Sequence, residues 1–110
     1  MLTISSAVKI LLHQNSVDMR KSFEGLSAII QQAFPEQLLT GSLFIFLNKA
    51  RDKMKVLYWD TDGLAIWYKM LEKGTFSRGH INREQLSRTE FLMLLEGVTP
   101  QRIQKRWNPT

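Results

Sequence analysis

Two kinds of side chain in this sequence have the types and spacing for chemistry: clustered cations and one close pair of carboxylates. The cations form three groups. Arg20 and Lys21 are adjacent; Lys49, Arg51, Lys53 and Lys55 alternate through a short stretch holding one acid, Asp52; Arg102, Lys105 and Arg106 lie near the C-terminus. Such clusters neutralise phosphates, so nucleic acid is the first partner to consider. The plain alternative is a solvated face that keeps a sheet edge from aggregating. The carboxylates are Asp60 and Asp62, on either side of Thr61. A pair like this can hold a divalent cation in a nuclease, but aspartate is also favoured in turns. There is no Walker A loop and no Gly-x-Gly-x-x-Gly, and neither histidine, His13 or His80, stands in a triad-like context or beside a second ligand at a familiar spacing. No residue is therefore assigned to catalysis or to a metal, and no cofactor is implied.

The chain has 110 residues, no cysteine and a net charge of +5, with a pI near 9.8. That length suits one domain with a core of its own. With 44% hydrophobic and 23% charged residues, the composition is that of a folded domain. The lack of cysteine excludes disulfides and thiolate sites and fits a reducing compartment. The first residues carry no basic, apolar leader pattern, and no apolar run approaches the length of a membrane span, so a cytoplasmic protein is expected. The positive charge favours an anionic partner.

The elements that must position these groups follow from periodicity. Ala7 to His13 is a short apolar run and reads as a strand. Met19, Phe23, Leu26, Ile30 and Ala33 recur at spacings of three and four, one stripe of a helix. Asp18 suits its N-cap, and Pro35 ends it by Phe34. Arg20 and Lys21 then fall in the first turn, where free amides and two cations would form an anion site. Gly25 inside the helix implies close approach to another element, such as the sheet. The central stretch reads as a three-stranded antiparallel meander: Ser42 to Asn48, Lys53 to Asp60 and Leu64 to Leu71. Lys49 to Asp52 is the first turn. Thr61-Asp62-Gly63 is the second, with Gly63 expected to take a positive φ.

Along the second strand of the meander, Met54, Val56 and Tyr58 share one face, and Lys53, Lys55, Leu57 and Trp59 the other. Large apolar groups lie on both faces, so one packs on the first helix and the other needs a second cover. Glu72 to His80 reads as a mobile loop. Ser87 and Glu90 form a capping box for a second helix with Phe91, Leu94 and Leu95 on its apolar side; Gly97 is its stop. Residues 1–97 are then one α+β domain of strand, helix, meander and helix, and residues 98–110 a basic tail.

Three functions fit these residues. A basic hairpin can enter the major groove of DNA, or Tyr58, Trp59, Trp67 and Tyr68 can stack unpaired bases; core packing is the plain alternative for the aromatics. An apolar sheet face around Trp59 and Trp67 can dock a protein partner or a second copy. Asp60 and Asp62 can serve a small metal-dependent nuclease.

Four motifs carry a resemblance: Asp18-Met-Arg-Lys-Ser-Phe-Glu-Gly-Leu26, Gly41-Ser-Leu-Phe-Ile-Phe-Leu-Asn48, Asp52-Lys-Met-Lys-Val-Leu-Tyr-Trp-Asp60, and Ile66-Trp-Tyr-Lys69 followed by Leu71-Glu-Lys-Gly74. In this order they resemble the TnpB-type accessory proteins of insertion-sequence-66 elements, from about the first strand to Gly97. Many relatives carry Trp-Pro soon after the position of Phe76, where this chain has Ser77-Arg78. The resemblance implies a bacterial mobile-element protein acting beside a separate transposase, which carries the cutting and joining chemistry. The combined expectation is a non-catalytic accessory factor that contacts DNA through the hairpin tip and the helix start, with the element's transposase as a second partner.

Overall fold

The computed structural model describes residues 8–77 and 83–96. In chain order the elements are β1 (Ile10–Leu12), α1 (Phe23–Ala33), β2 (Leu43–Leu47), β3 (Lys53–Asp60), β4 (Gly63–Met70), β5 (Gln85–Leu86) and α2 (Arg88–Leu95). β2 is apolar at every position and wholly buried. A strand without polar alternation needs cover on both faces, and β2 lies at the centre of a five-stranded sheet of order β4-β3-β2-β1-β5. The expected meander is present, since β2 pairs antiparallel with β3 and β3 with β4. β1 lies on the other side of β2, parallel to it, with Ile10 opposite Leu43. β5 closes that edge antiparallel to β1.

The sheet separates two cores. On one side Leu26, Ile30 and Phe34 of the α1 segment pack on Leu11, Phe44, Phe46 and Leu57. On the other, Phe91 and Leu94 of α2 pack with Phe76 on Ile10, Leu12, Ile45, Met54 and Val56. The second helix thus supplies the cover that the apolar outer face requires. The sheet is held between two helices, and the fold is α+β. Alternation along β3 is as expected, with Met54 and Val56 toward α2 and Leu57 toward α1.

Several local expectations are corrected. Asp18 does not cap α1: the N-cap is Ser22, without a side-chain bond, while the Asp18 carboxylate accepts from the Arg20 amide and guanidinium. A nearby guanidinium outcompetes a more distant helix amide for the carboxylate. Arg20 and Lys21 therefore precede the helix, outside its first turn. The neighbour Gly25 accommodates is the Lys21 side chain: a Cβ at Gly25 would lie 3.1 Å from the Lys21 Cβ and Cγ. In the β3–β4 turn Thr61 takes the left-handed conformation, with φ 57°. Gly63 is instead the first residue of β4, opposite Asp60. The stretch after β4 is anchored, because Phe76 is completely buried.

The capping box of α2 is formed: the Ser87 hydroxyl accepts from the Glu90 amide, and the Glu90 carboxylate accepts from the Ser87 amide. Burial opposes charge on Glu90, yet the Ser87 amide and the Arg83 guanidinium hold its carboxyl below the ordinary value. Gly97, His80 and the tail lie outside the described residues.

Candidate nucleic-acid interface

Because β1 and β2 are parallel neighbours, their carboxyl ends emerge side by side. The segment after β1 runs through residues 13–22 into α1, and the chain after β2 turns tightly into β3. The His13 amide bonds the Ile45 carbonyl at 3.0 Å and the Val17 amide the Leu47 carbonyl at 2.9 Å, so the first segment follows the end of β2. Between the two segments lies an open cleft of about 630 Å³, lined by Ser16, Asp18, Arg20, Lys49, Lys53 and Tyr68 among others. A smaller recess of about 270 Å³ adjoins it, sharing Ser16, Asn48 and Lys49 and adding His13 and Arg51. In open α/β sheets, ligands gather outside the carboxyl ends of parallel strands.

Folding thus brings two of the three cationic groups together. Arg20 comes from one wall, and Lys49, Arg51 and Lys53 from the other. Arg20 is exposed and paired with Asp18 at 2.6 Å. Its guanidinium holds the Asp18 carboxyl down at about 2, chiefly through the side-chain hydrogen bond and then through the Arg20 amide. Lys49 and Arg51 are exposed and Lys53 is half-buried. Burial pushes the His13 imidazole below its ordinary 6.5, against the charge of Glu84.

The basic turn is built firmly. Asn48 donates from Nδ2 to the Asp52 carboxylate at 2.7 Å and accepts from the Lys53 amide at 3.0 Å. The segment after β4 braces it from outside: the Leu71 amide bonds the Asp52 carbonyl, and the Phe76 amide the Arg51 carbonyl. Arg51 itself is left-handed, with φ 59°.

Lys55 behaves differently from its neighbours in sequence. It is 8% exposed, and its ammonium donates to the Met19 and Lys21 carbonyls at 2.7 and 2.8 Å. The group ties the segment before α1 to β3 and is withdrawn from the cationic rim. Lys21 contributes its carbonyl to that tie and its stem to the contact with Gly25, and it does not line the cleft. Arg102, Lys105 and Arg106 lie outside the described residues.

The two tryptophans do not share a surface. Trp67 is paired with Val56 on the α2 side, and Trp59 with Leu64 on the α1 side. The expected single patch holding both is therefore not formed. Asp60 and Asp62 stand exposed at the β3–β4 turn, at the far end of β3 from the cleft. Among the described residues no group of three or more metal-ligating side chains is present. Sequence reasoning misses Tyr68 as a cleft wall and Asn48 as the brace of the turn. An Asn at a strand end, four residues before an Asp, is the available signal for the latter.

The profile of the IS66 Orf2-like proteins matches residues 8–105 of this chain. The chain belongs to that family. Two proteins of Sinorhizobium fredii (strain NBRC 101917 / NGR234) are similar to it over nearly their whole lengths, and both are described as uncharacterized. The protein y4jC is 29% identical, over 96% of this chain and 92% of its own. The protein y4hO is 27% identical, over 100% and 97% respectively. No solved structure matches. Membership places this IS66 Orf2-like protein in association with insertion-sequence transposition. Among its described residues no helix is long and apolar enough to cross a membrane.

Proposed function

We propose that this chain is a non-catalytic accessory factor of transposition that holds DNA on the basic rim of the cleft. One arrangement carries the reading: Arg20 from the segment after β1 and Lys49, Arg51 and Lys53 from the β2–β3 turn rim one cleft and its adjoining recess. Cations held on two braced segments engage phosphates with little ordering cost at the moment of binding. The tail cations Arg102, Lys105 and Arg106 extend the same charge along the chain. The element-encoded transposase is the protein partner this role implies, and it supplies the cutting and joining chemistry.

Fluorescence anisotropy with element-end DNA and with a random duplex, at several salt concentrations, tests the reading. Affinity should fall steeply with salt, and the double variant Lys49→Gln/Arg51→Gln should flatten the log–log slope by about 0.9 for each phosphate it no longer neutralises. An unchanged slope removes those residues from the interface. No binding even at low salt rejects DNA contact and leaves the transposase as the partner to test.

A further inference from the structure

Tyr68 is the one residue of the four aromatics singled out in the sequence that lines the basic cleft. The residue is 50% exposed, and the buried Lys55 ammonium sits 4.8 Å from the ring centroid. This cation–π contact restrains the ring, and Tyr68 lines the cleft. Arg20 lines the cleft from one wall, and Lys49 and Lys53 line it from the other. An aromatic surface beside three cations is the pairing that single-stranded nucleic acid requires: a π-face for a base and positive charge for its phosphates. The single carboxylate present, Asp18, is engaged by Arg20.

The shape points the same way. The cleft is open, and its volume of about 630 Å³ gives room for a single nucleotide, within the range of about 300–1,000 Å³ for small-ligand sites. A duplex keeps its bases stacked on each other, so their faces are not available to the Tyr68 ring in the cleft. A ribbon entering a groove would need a projecting turn. Here the β2–β3 turn is tied to the Leu71 and Phe76 amides and forms a wall.

We propose that the cleft takes an unpaired nucleotide of DNA, its base stacked on Tyr68 and its flanking phosphates on Lys49, Lys53 and Arg20. The inference rests on the DNA-contact reading above and specifies the form of DNA bound. A transposition intermediate offers such nucleotides wherever a strand end frays or is displaced.

The test compares an oligo-dT with a mixed-sequence duplex of the same length by anisotropy, using the intact protein and two variants. Tyr68→Leu keeps apolar cover over Lys55 without a ring, and Tyr68→Phe keeps the ring. Wild type and Tyr68→Phe should bind oligo-dT alike. Tyr68→Leu should weaken it by roughly 5- to 150-fold, the loss expected for one stacked base, with duplex binding unchanged. Circular dichroism checks that both variants remain folded. If Tyr68→Leu binds oligo-dT as wild type does, or loses both DNA forms equally, the unpaired-nucleotide site is wrong while duplex contact at the rim stands. If wild type binds neither form at low salt, both readings fall.

Discussion

The two turns of the meander make opposite use of similar local chemistry. Each places a non-glycine residue in the left-handed region, Arg51 at φ 59° and Thr61 at φ 57°. The β3–β4 turn is a bare two-residue connection, Thr61–Asp62, exposed and closed by the Asp60–Gly63 pair. The β2–β3 turn is cross-braced from within by Asn48 and Asp52 and from outside by Leu71 and Phe76. Connecting two strands needs only the first kind of turn. The additional bonding at the second fixes a row of cations against the neighbouring segment, and it is there that positive charge gathers. A left-handed non-glycine residue is costly and persists where the surrounding structure over-determines it, as the bonds around Arg51 do.

The largest effect should come from removing the buried ring that anchors the segment of the outer brace, whose bond to the turn is the Phe76 backbone amide. Phe76 is completely buried in the core beneath α2, so Phe76→Ala should cost about 3–5 kcal/mol in chemical denaturation. Asp62→Ala at the other turn should change stability by less than about 0.5 kcal/mol. Equal effects would mean that anchoring the Phe76 ring in the core contributes no more to the fold than the exposed β3–β4 turn does.

The second contrast sets two lysines of one strand face against each other. Lys55→Met leaves the Met19 and Lys21 carbonyls without their shared donor, a loss of about 1–3 kcal/mol. Lys53→Met should leave stability within about 0.5 kcal/mol but flatten the salt dependence of DNA binding. A Lys55 variant that is fully stable and defective only in DNA binding would return Lys55 to the cationic rim.

The same two lysines mark the limit of what is legible in the chain. The meander, the end of α1 before Pro35 and the Ser87–Glu90 box follow from signals a few residues long, and each is present as read. The fate of Lys55 is hidden, because its partners lie 36 and 34 residues away and a lysine in an alternating run reads as solvent-facing. The insertion of β1 beside β2 is equally non-local: three residues of pairing leave no periodicity of their own. Without that pairing, the convergence of Arg20 with Lys49 and Lys53 cannot be seen, although each residue stands out by its type. Phe76 reads as part of a loop because a lone aromatic among polar residues has no repeat to mark it as core. The capping rule assigns Asp18 by the commonest use of its type, and it does not weigh the actual partner, two residues on.

A smaller effect separates strain from charge. Thr61→Gly relieves a left-handed β-branched residue and should stabilise the fold by about 1 kcal/mol, with DNA binding untouched. Arg51→Gly relieves the same kind of strain and also removes a cation from the recess, so denaturation midpoints should rise for both while the salt slope flattens for Arg51→Gly alone. If both leave the slope unchanged, the braced turn is not the DNA surface.

The smallest effect concerns the one carboxylate in the cleft. The Asp18 carboxyl is lowered to about 2, first by the Arg20 side-chain bond, so it is ionised throughout the working pH range. A depressed carboxyl stabilises the fold above its unfolded value of 3.8, and this contribution is lost as pH falls through about 2. The pair is solvent-exposed, where such contributions are slight. Its larger consequence is electrostatic. Asp18 holds Arg20 and offsets part of the positive charge of the cleft rim. Asp18→Asn should leave the denaturation midpoint near neutral pH almost unchanged, raise affinity for DNA and steepen the salt slope by up to about 0.9, the increment for one more phosphate neutralised. If affinity instead falls, the carboxylate is holding Arg20 in its binding position, and the cleft depends on the pair rather than on the cation alone.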